Sequence, residues 1–453
     1  MSNVVAAVDC GATSVRVCRV DLDAEILVPE VVHRVAHEPR RDDTGSLRWD
    51  WRRIVGAVVA GLERCLELGP LTSIGIDTWA VDYGLLDETG ALIADPYSYR
   101  DGRTAGFRTL VERVGEAEMF AMNGLQLQPF NTVFQLAVHD PDELRRARRL
   151  LLLPELLVHE LTGVEATERS CAVSSGLVDV TTNDWSTELL DLAGVDRSLV
   201  GTVVSAGRLV GEWRGVPVAL VAGHDTASAV AGMGLPAPGG SMFLATGTWM
   251  LAGVERTTPD VSAWARARNF SNEAGALGGY RFLRNVTGFW LLERCRVEWG
   301  SIDRSDLIAG ADAVDVPVAI VDVDADELRA PADMLTAYTA LAGLARTTNP
   351  AVVTRSIVES IAVRVAEVAA QLREVGRFDD IVVFGGGARV PLLWKRLQAV
   401  ARVPLRVGSP EAAALGNALV QGVALGEYRS LADGQQRLSA PASPGVDGGN
   451  RLD

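Results

Sequence analysis

The chain has 453 residues, 48% of them hydrophobic and 22% charged, and this length and composition predict a globular protein of two or three domains and exclude a disordered one. Its formal net charge of -15 argues against nucleic acid as a partner, because an acidic surface repels phosphate backbones. The five cysteines form no CxxC pair and the five histidines no HExxH motif, so neither a disulfide framework nor a zinc site is expected.

No segment of the sequence has the character of a membrane anchor or a secretory signal. The apolar stretch 150–153 is followed by Pro154 and is too short to cross a bilayer. Residues 1–5 carry neither a basic region nor a long apolar stretch. These features predict a cytoplasmic protein without a membrane partner.

The first predicted elements are two strands joined by a turn of small residues. Residues 4–9 form an apolar run and residues 15–20 alternate as a strand does. The intervening turn, 11–14, offers backbone N–H groups and hydroxyls that suit a phosphate. An ordinary hairpin turn is the alternative, because Gly and Ser occupy such turns for conformational reasons. Arg16 is either a cation for a transferred phosphoryl group or a solvated strand residue.

A polar and aromatic cluster follows the next predicted strand. Helical periodicity covers 52–68, and 71–77 has the pattern of a buried strand. Asp77, Trp79 and Asp82 then combine two carboxylates with an indole, a mixture suited to a polyol. The alternative is a strand end with a partly buried tryptophan.

A second candidate site follows the predicted strand 218–221. Helical periodicity covers 141–162 and 225–234, which puts Asp225 at a helix N-terminus. Asp225 is either the N-cap of that helix or a proton acceptor for a hydroxyl nucleophile. His224 either orients a substrate or is a hydrogen-bonded structural residue.

The second half of the chain repeats the opening device. Strands at 241–245 and 249–254 flank a Thr-Gly-Thr turn at 246–248, which suggests a weak internal duplication with a boundary in the Pro/Gly-rich stretch 236–240. Helices are predicted at 287–299 and 352–375, and a strand at 380–384 leads into three glycines. Those glycines either let a nucleotide approach the backbone or form a tight turn.

Strands interleaved with helices predict the α/β class. The predicted organisation is an N-terminal lobe over 1–237, a C-terminal lobe over 238–430, and a loose tail over 431–453, where Ser, Pro and Gly are frequent and apolar residues are few.

Ordered motifs along nearly the whole chain resemble the FGGY family of carbohydrate kinases, and within it the branch that acts on L-rhamnulose. The motifs are Ala7-Val8-Asp9 with Gly11, Ala12 and Arg16; 73–79 with Asp82; 99–101; 130–132; 224–230; 247–249; Asn272-Glu273; 285–292; 385–387; and Glu411-Ala412 with Leu415-Gly416-Asn417. The resemblance implies two ribonuclease-H-like lobes of the actin and hexokinase ATPase type, with sugar and ATP meeting in an interlobe cleft.

The resemblance also implies a role for each matching residue. Asp225 would be the general base, and Asp9 would help to hold Mg2+. ATP would contact Ala12, Thr13, Ser14, Val15, Arg16, Thr248, Glu293, Gly386 and Gly387. The sugar would contact Ala80, His224, Asp225, Thr226 and Asn285, beside the Asp77, Trp79 and Asp82 cluster. The implied reaction converts L-rhamnulose and ATP into L-rhamnulose 1-phosphate and ADP. The protein is expected to be a monomer or a homodimer.

The sequence departs from the family pattern at three of these positions. Val15 and Ala80 stand where the family has glycine, and Glu293 stands where it has glutamine; outside this set, Val390 stands where an asparagine often follows the three glycines. A kinase for another ketose, such as L-fuculose, L-xylulose or another pentulose, therefore stays open, as does a non-catalytic binding protein on the same fold. An actin-like polymer-forming protein is disfavoured, because it has no need for the polyol cluster.

Overall fold

The computed structural model describes residues 3–234, 239–247, 249–329 and 331–440, and its interleaved strands and helices confirm the α/β class. It divides into two compact units. The first contains Met1–Gly234, Arg256–Phe282 and Glu411–Ser439, and the second contains Leu235–Glu255, Leu283–Pro410 and Ala440–Asp453. Each unit is built around its own sheet.

The strands are numbered in chain order over the described residues. They are β1 Val4–Gly11, β2 Ser14–Asp21, β3 Glu30–Ala36, β4 Pro39–Arg41, β5 Leu47–Trp49, β6 Ser73–Thr78, β7 Tyr83–Leu86, β8 Arg149–Leu152, β9 Val178–Asp179, β10 Asp184–Trp185, β11 Arg208–Trp213, β12 Val216–Leu220, β13 Ser241–Thr246, β14 Trp249–Arg256, β15 Ser271–Ala274, β16 Tyr280–Thr287, β17 Asp380–Gly385 and β18 Leu405–Val407. The seven predicted strands correspond to β1, β2, β6, β12, β13, β14 and β17.

The α-helices are numbered in the same way. They are α1 Trp51–Glu67, α2 Arg108–Val114, α3 Glu116–Asn123, α4 Thr132–Ala137, α5 Pro141–Arg146, α6 Leu153–Thr162, α7 Arg169–Ser174, α8 Thr187–Ala193, α9 Asp225–Ala231, α10 Ala263–Ala267, α11 Trp290–Glu298, α12 Arg304–Asp312, α13 Met334–Leu341, α14 Pro350–Val375, α15 Pro391–Ala401, α16 Ala412–Leu425 and α17 Leu431–Gln435. The helices predicted at 52–68, 225–234, 287–299 and 352–375 are confirmed as α1, α9, α11 and α14. Within the described residues, no helix is long and apolar enough to cross a membrane.

The sheet of the first unit has the order β11-β12-β6-β1-β2-β3. β1 is central, and its first seven residues are all buried, which explains the continuous apolar run in the sequence. β1 pairs antiparallel with β2 and parallel with β6, and β6 pairs parallel with β12. The carboxyl ends of β1, β6 and β12 therefore lie along one edge of the sheet.

Helix α16 packs closely against α9 and so fixes the helix that begins at Asp225. A Cβ atom added at Gly416 would lie 1.7 Å from the Ser228 carbonyl oxygen, and one added at Gly232 would lie 2.0 Å from the Ala412 carbonyl oxygen. Both contacts are with backbone, which cannot rotate away as a side chain can. The crossing therefore requires glycine at both positions.

The sheet of the second unit contains β14, β13, β17 and β18 in that order. α14 begins at an Asn349 cap that accepts from the Ala351 N–H, with Pro350 in the first turn. Its buried stripe recurs at helical spacing, as an amphipathic helix requires. The stripe includes Val353, Ile357, Ile361, Val365, Val368 and Leu372.

The single helix predicted over 141–162 is wrong, because a strand interrupts it. Residues 141–146 form α5, β8 then pairs antiparallel with β7, and α6 begins at Leu153. The apolar run at 150–153 is buried, and such a run is compatible with a strand as well as a helix. Of the predicted tail, residues 431–435 form α17, and residues 441–453 lie outside the described part of the chain.

Candidate functional site

Three aspartates lie at the carboxyl ends of neighbouring strands in the first unit, and we call Asp9, Asp77 and Asp225 the carboxylate cluster. Asp9 and Asp77 are direct partners in the parallel ladder of β1 and β6. Thr78, the last residue of β6, forms a parallel bridge with His224, the residue before Asp225. Sheet register, and not proximity in sequence, brings these carboxylates together.

Asp225 is the first residue of α9, and its side chain is 24% exposed. His224 occupies the N-cap position, so the interpretation of Asp225 as the cap does not hold. Burial raises the pKa of Asp225 to about 7, the nearby Asp9 carboxylate adds to this rise, and a hydrogen bond from the Thr226 N–H opposes it. A carboxyl group with this pKa can accept a proton near neutral pH.

The predicted phosphate turn is a two-residue hairpin connection between β1 and β2, with Gly11 paired to Ser14. Its carbonyl groups are held by neighbouring segments. The Gly11 oxygen lies 2.9 Å from His37 Nε2, the Thr13 oxygen accepts from the His37 N–H at 3.0 Å, and the Ala12 oxygen accepts from Arg100 at 3.2 Å. The turn is therefore fixed in shape by the protein itself.

Val15 points into the core and is fully buried, whereas Ser14 and Arg16 are partly exposed. In this strand, β2, alternate side chains face opposite sides of the sheet, which accounts for the pattern. A role for Val15 in binding ATP can therefore involve its backbone but not its side chain.

Arg16 links the phosphate turn to Asp9 and to the start of α16. Its guanidinium lies 2.5 Å from Asp9 Oδ2 and 2.9 Å from Glu411 Oε2, and Arg34 lies 3.2 Å from Glu411 Oε1. Burial raises the pKa of Asp9, and Arg16 opposes the rise. The Arg16 side chain is thus held beside the carboxylate cluster and is not a freely solvated strand residue.

Asp9 has the properties expected of a magnesium ligand. It is 1% exposed, its Oδ2 is ion-paired with Arg16, and its Oδ1 has no hydrogen-bond partner among the described residues. Such oxygens are costly to bury unless a cation or a proton satisfies them. Carboxylate oxygen is also the ligand type that Mg2+ prefers, so the residue present fits this ion.

Asp77 is buried at the end of β6 and depends on a helix from the far end of the chain. Asn417 of α16 donates to Asp77 Oδ2 at 2.6 Å, and Gln421 donates to Asn417 Oδ1 at 2.8 Å. Burial raises the pKa of Asp77 well above its usual range, and the Asp9 charge adds to the rise. Glu411 and Asn417 belong to a motif in the sequence, but only the fold assigns them these partners.

Asp82 is satisfied by the protein itself. Its Oδ2 accepts from Trp79 Nε1 at 2.9 Å, Trp49 Nε1 at 2.7 Å and the Tyr99 N–H at 3.1 Å, while Oδ1 accepts from Gln135 at 3.0 Å. Trp79 is itself only 6% exposed. Asp82 therefore holds two indole rings in place, which is the strand-end alternative considered from the sequence.

Ala80 precedes a residue with an unusual backbone conformation. Val81 has φ of 73°, a left-handed conformation that is rare for a β-branched residue. Its carbonyl oxygen accepts from Thr132 Oγ1 at 2.7 Å and from Gln135 Nε2 at 3.1 Å. These two bonds hold the strained segment, and both Ala80 and Val81 remain partly exposed.

His224 and Thr226 belong to a polar network that was not predicted from the sequence. His224 Nε2 lies 2.9 Å from Thr226 Oγ1, and Nδ1 lies 3.1 Å from both Arg281 Nη2 and Ser174 Oγ. Arg281 is fully buried, pairs with Glu273 at 3.0 Å and donates to Thr226 Oγ1. The Asn272-Glu273 motif belongs to the family resemblance, but no pattern in the sequence identifies Arg281 as the partner of Glu273.

The remaining predicted site residues lie in the second unit. Glycines at 385 and 387 have packing reasons, because added Cβ atoms would lie 2.6 Å from Thr246 O and Thr246 Cβ respectively. Gly386 is exposed, and a Cβ atom added there would lie 3.9 Å from its nearest neighbour, the Thr246 carbonyl oxygen. Packing therefore does not explain why this position has no side chain.

Glu293 and Asn285 are also in the second unit, on α11 and β16. Glu293 forms ion pairs with Arg296 and Arg304, and Asn285 is partly buried. Thr248, the last predicted contact for ATP, lies outside the described residues.

Comparison with known proteins gives the same family for both parts of the chain. Residues 4–234 match the N-terminal domain of the FGGY family of carbohydrate kinases, and residues 242–425 match its C-terminal domain. A rhamnulokinase of Bacteroides thetaiotaomicron is 34% identical over 96% of this chain and 93% of its own. A rhamnulokinase of Enterobacter sp. is 35% identical over 94% of this chain and 90% of its own.

Solved structures support the fold. A gluconate kinase from Lactobacillus acidophilus has a TM-score of 0.81 with 15% identity over 98% of this chain and 93% of its own. A glycerol kinase from Plasmodium falciparum, solved with ADP, has a TM-score of 0.78 with 15% identity over 98% of this chain and 95% of its own. The prediction of two ribonuclease-H-like units is confirmed at the level of the fold. The chain belongs to the FGGY family of carbohydrate kinases and is a sugar kinase that uses ATP.

Proposed function

We propose that this kinase phosphorylates L-rhamnulose at the C1 hydroxyl, giving L-rhamnulose 1-phosphate and ADP, with Asp225 as general base. The observation that carries the chemistry is Asp225 itself, a partly exposed carboxylate with a pKa of about 7 within the carboxylate cluster. The rhamnulokinase relatives, which cover more than nine tenths of the chain, support the choice of sugar.

In the proposed reaction, Asp225 accepts the proton of the attacking hydroxyl as the oxygen approaches the γ-phosphorus in line. Thr226, which follows Asp225 in sequence, would hydrogen-bond another oxygen of the sugar, and the ring of His224, whose nitrogens contact Thr226 and Arg281, would pack against the sugar. The rigid turn of Ala12 and Thr13 would offer backbone N–H groups to the phosphates. Asp77, Trp79 and Asp82 would shape the sugar site, with Asp82 acting through the tryptophan rings.

Asp9 would hold magnesium, and Arg16 would supply the positive charge nearest to it. When bound, the ion would offset the negative charge of the phosphate oxygens. In the second unit we assign nucleotide contacts to Gly386, Gly387, Glu293 and Thr248, and a sugar contact to Asn285. Gly386 has the clearest support, because its open surroundings leave room for a ligand.

The direct test is ADP release from Mg-ATP by the purified protein with a panel of ketoses. The panel contains L-rhamnulose, L-fuculose, L-xylulose, D-xylulose and L-ribulose. We expect the highest kcat/KM with L-rhamnulose. A preference for another ketose would overturn the named substrate but keep the mechanism, whereas no sugar-dependent turnover would favour a non-catalytic binding protein.

The pH dependence of the reaction tests the assignment of the base. Because Asp225 must be deprotonated to accept a proton, we expect kcat/KM to rise with pH and to reach half its maximum near pH 7, the value to which burial raises the pKa. Below that pH the slope should approach one proton. A profile that stays flat from pH 5 to 8 would exclude Asp225 as the titrating base.

Ala80 is the position where substrate choice should be adjustable. We expect Ala80→Gly to change the ratio of kcat/KM between L-rhamnulose and a pentulose by about 10- to 200-fold, the effect of one methyl group in a close pocket. The kcat/KM values for both sugars are measured with the same preparation of each protein. If all five ketoses change by the same factor, Ala80 does not contact the part of the sugar that distinguishes them.

A further inference from the structure

We propose that Arg281 is a positioning residue for the sugar, because its guanidinium fixes the direction of the hydrogen bonds made by His224 and Thr226. This inference rests on the proposed function, since it takes Thr226 to hydrogen-bond a sugar oxygen and the ring of His224 to pack against the sugar. Arg281 touches neither the sugar nor ATP in this proposal. It acts from β16 through the two residues on either side of Asp225.

Arg281 offers its neighbours only hydrogen-bond donors. A guanidinium has five N–H donors and no acceptor, and it does not lose its proton in proteins. Arg281 Nη2 lies 3.1 Å from His224 Nδ1. This contact is a hydrogen bond only when Nδ1 carries no proton, so the neutral ring of His224 must carry its proton on Nε2.

The proton on His224 Nε2 determines the hydrogen bonds that Thr226 makes. His224 Nε2 then donates to Thr226 Oγ1 at 2.9 Å, and Arg281 Nη1 donates to the same oxygen. With both acceptor positions of Oγ1 occupied, the Thr226 hydroxyl can only donate outward. The site therefore favours a sugar oxygen that accepts at this position, such as a carbonyl or ring oxygen beside the reacting carbon.

Without Arg281 the surroundings of His224 would favour the opposite proton arrangement. Ser174 Oγ lies 3.1 Å from Nδ1 and donates to the Ser170 carbonyl, so its lone pairs can accept. Glu273 Oε2 lies 3.5 Å from Nδ1, and Asp225 Oδ1 lies 3.7 Å from Nε2. Among the described residues in contact with His224, only Arg281 presents a fixed donor to Nδ1. Burial and the Arg281 charge also hold the pKa of His224 well below its usual value, which keeps the ring neutral.

The first test reads the proton position directly. Nitrogen-15 spectra of protein labelled at histidine distinguish protonated from bare ring nitrogens, and His224→Gln identifies the signals among the five histidines. We expect the Nε2–H form in the wild type from pH 6 to 8. In Arg281→Met/Glu273→Gln, which removes the charge pair without leaving an unpaired carboxylate, we expect Nδ1 to gain a proton.

The second test is kinetic. We expect Arg281→Met/Glu273→Gln to raise KM for the sugar at least tenfold while KM for ATP stays within twofold. Arg281→Lys keeps a charge for Glu273 but cannot reach Nδ1 and Thr226 together, so it should show an intermediate KM. It also serves if the double variant does not fold.

The matched control removes another buried arginine pair. Arg355 is 5% exposed and pairs with Glu359 at 2.9 Å within α14 of the second unit. Arg355→Met/Glu359→Gln should reduce stability but leave KM for the sugar and the His224 spectrum unchanged. An Nε2–H signal that persists in both Arg281 variants, with KM for the sugar unchanged, would overturn the proposal. If the wild type has no sugar-dependent turnover, the proposed function fails, and the spectra alone decide the role of Arg281.

Discussion

Asp225→Asn should lower kcat for sugar phosphorylation by about 10²- to 10⁴-fold, the range typical of a lost general base. Asparagine keeps the size of the side chain and the hydrogen bond from the Thr226 N–H, but it cannot accept the hydroxyl proton. The affinity for ATP, measured by calorimetry without sugar, should stay within a few-fold. The rise of kcat/KM near pH 7 should disappear in this variant.

The same substitution should also change how the stability of the protein depends on pH. The folded-state pKa of Asp225 is raised, so ionisation of this carboxyl costs stability as the pH rises towards and through 7. We therefore expect Asp225→Asn to melt at a higher temperature than the wild type at pH 8, and at a similar temperature near pH 4.

An Asp225→Asn variant that keeps more than a tenth of the wild-type kcat at pH 8 would rule out Asp225 as the base.

Gly416→Ala should destabilise the protein by about 3 kcal/mol or more, at the upper end of the effects of overpacking. The added methyl carbon would lie 1.7 Å from the Ser228 carbonyl oxygen and 2.8 Å from the Gly232 nitrogen, so α9 and α16 would have to move apart. Because α9 begins at Asp225 and α16 carries Asn417, both sides of the carboxylate cluster would shift. Urea unfolding and kcat should therefore both be affected.

The matched control is a glycine on an open helix face. Gly56 lies on the exposed side of α1, and nothing lies within 4 Å of a Cβ atom added there. Gly56→Ala should stabilise the protein by about 0.5–1 kcal/mol, because alanine loses less backbone entropy in a helix. An unfolding midpoint for Gly416→Ala equal to that of the wild type would show that the helices can separate at little cost.

The elements that the sequence predicted well are those whose pattern is local. The buried run of β1, the alternation of β2 and the stripe of α14 each follow from a period of two or 3.6 residues. The prediction of a single helix over 141–162 failed because the interaction that decides its structure is not local. Four consecutive leucines carry no period, and only the pairing of residues 149–152 with β7 makes that segment a strand.

The candidate site divides in the same way. Asp9, Asp77 and Asp225 could be nominated because Asp9 and Asp77 end predicted strands and Asp225 follows one, yet their adjacency depends on the order of strands in the sheet. Arg281 and Asn417 could not be assigned roles, because the site residues to which they donate, Thr226 and Asp77, lie 55 and 340 residues away in sequence. Contacts at that separation leave no periodic signal in a single sequence.

The return of residues 411–439 to the first unit has a consequence for the order of events during synthesis. β1 and β6 leave the ribosome early, but Asn417 and Gln421, which donate to Asp77 and to the Ala6 carbonyl, follow the whole of 235–410. At about 5–20 residues per second, that interval lasts roughly 10–35 s. Throughout this interval, α16 does not yet cover β1, β6 and Asp77 of the nascent first unit. We therefore expect the unit to depend on chaperones until translation is nearly complete.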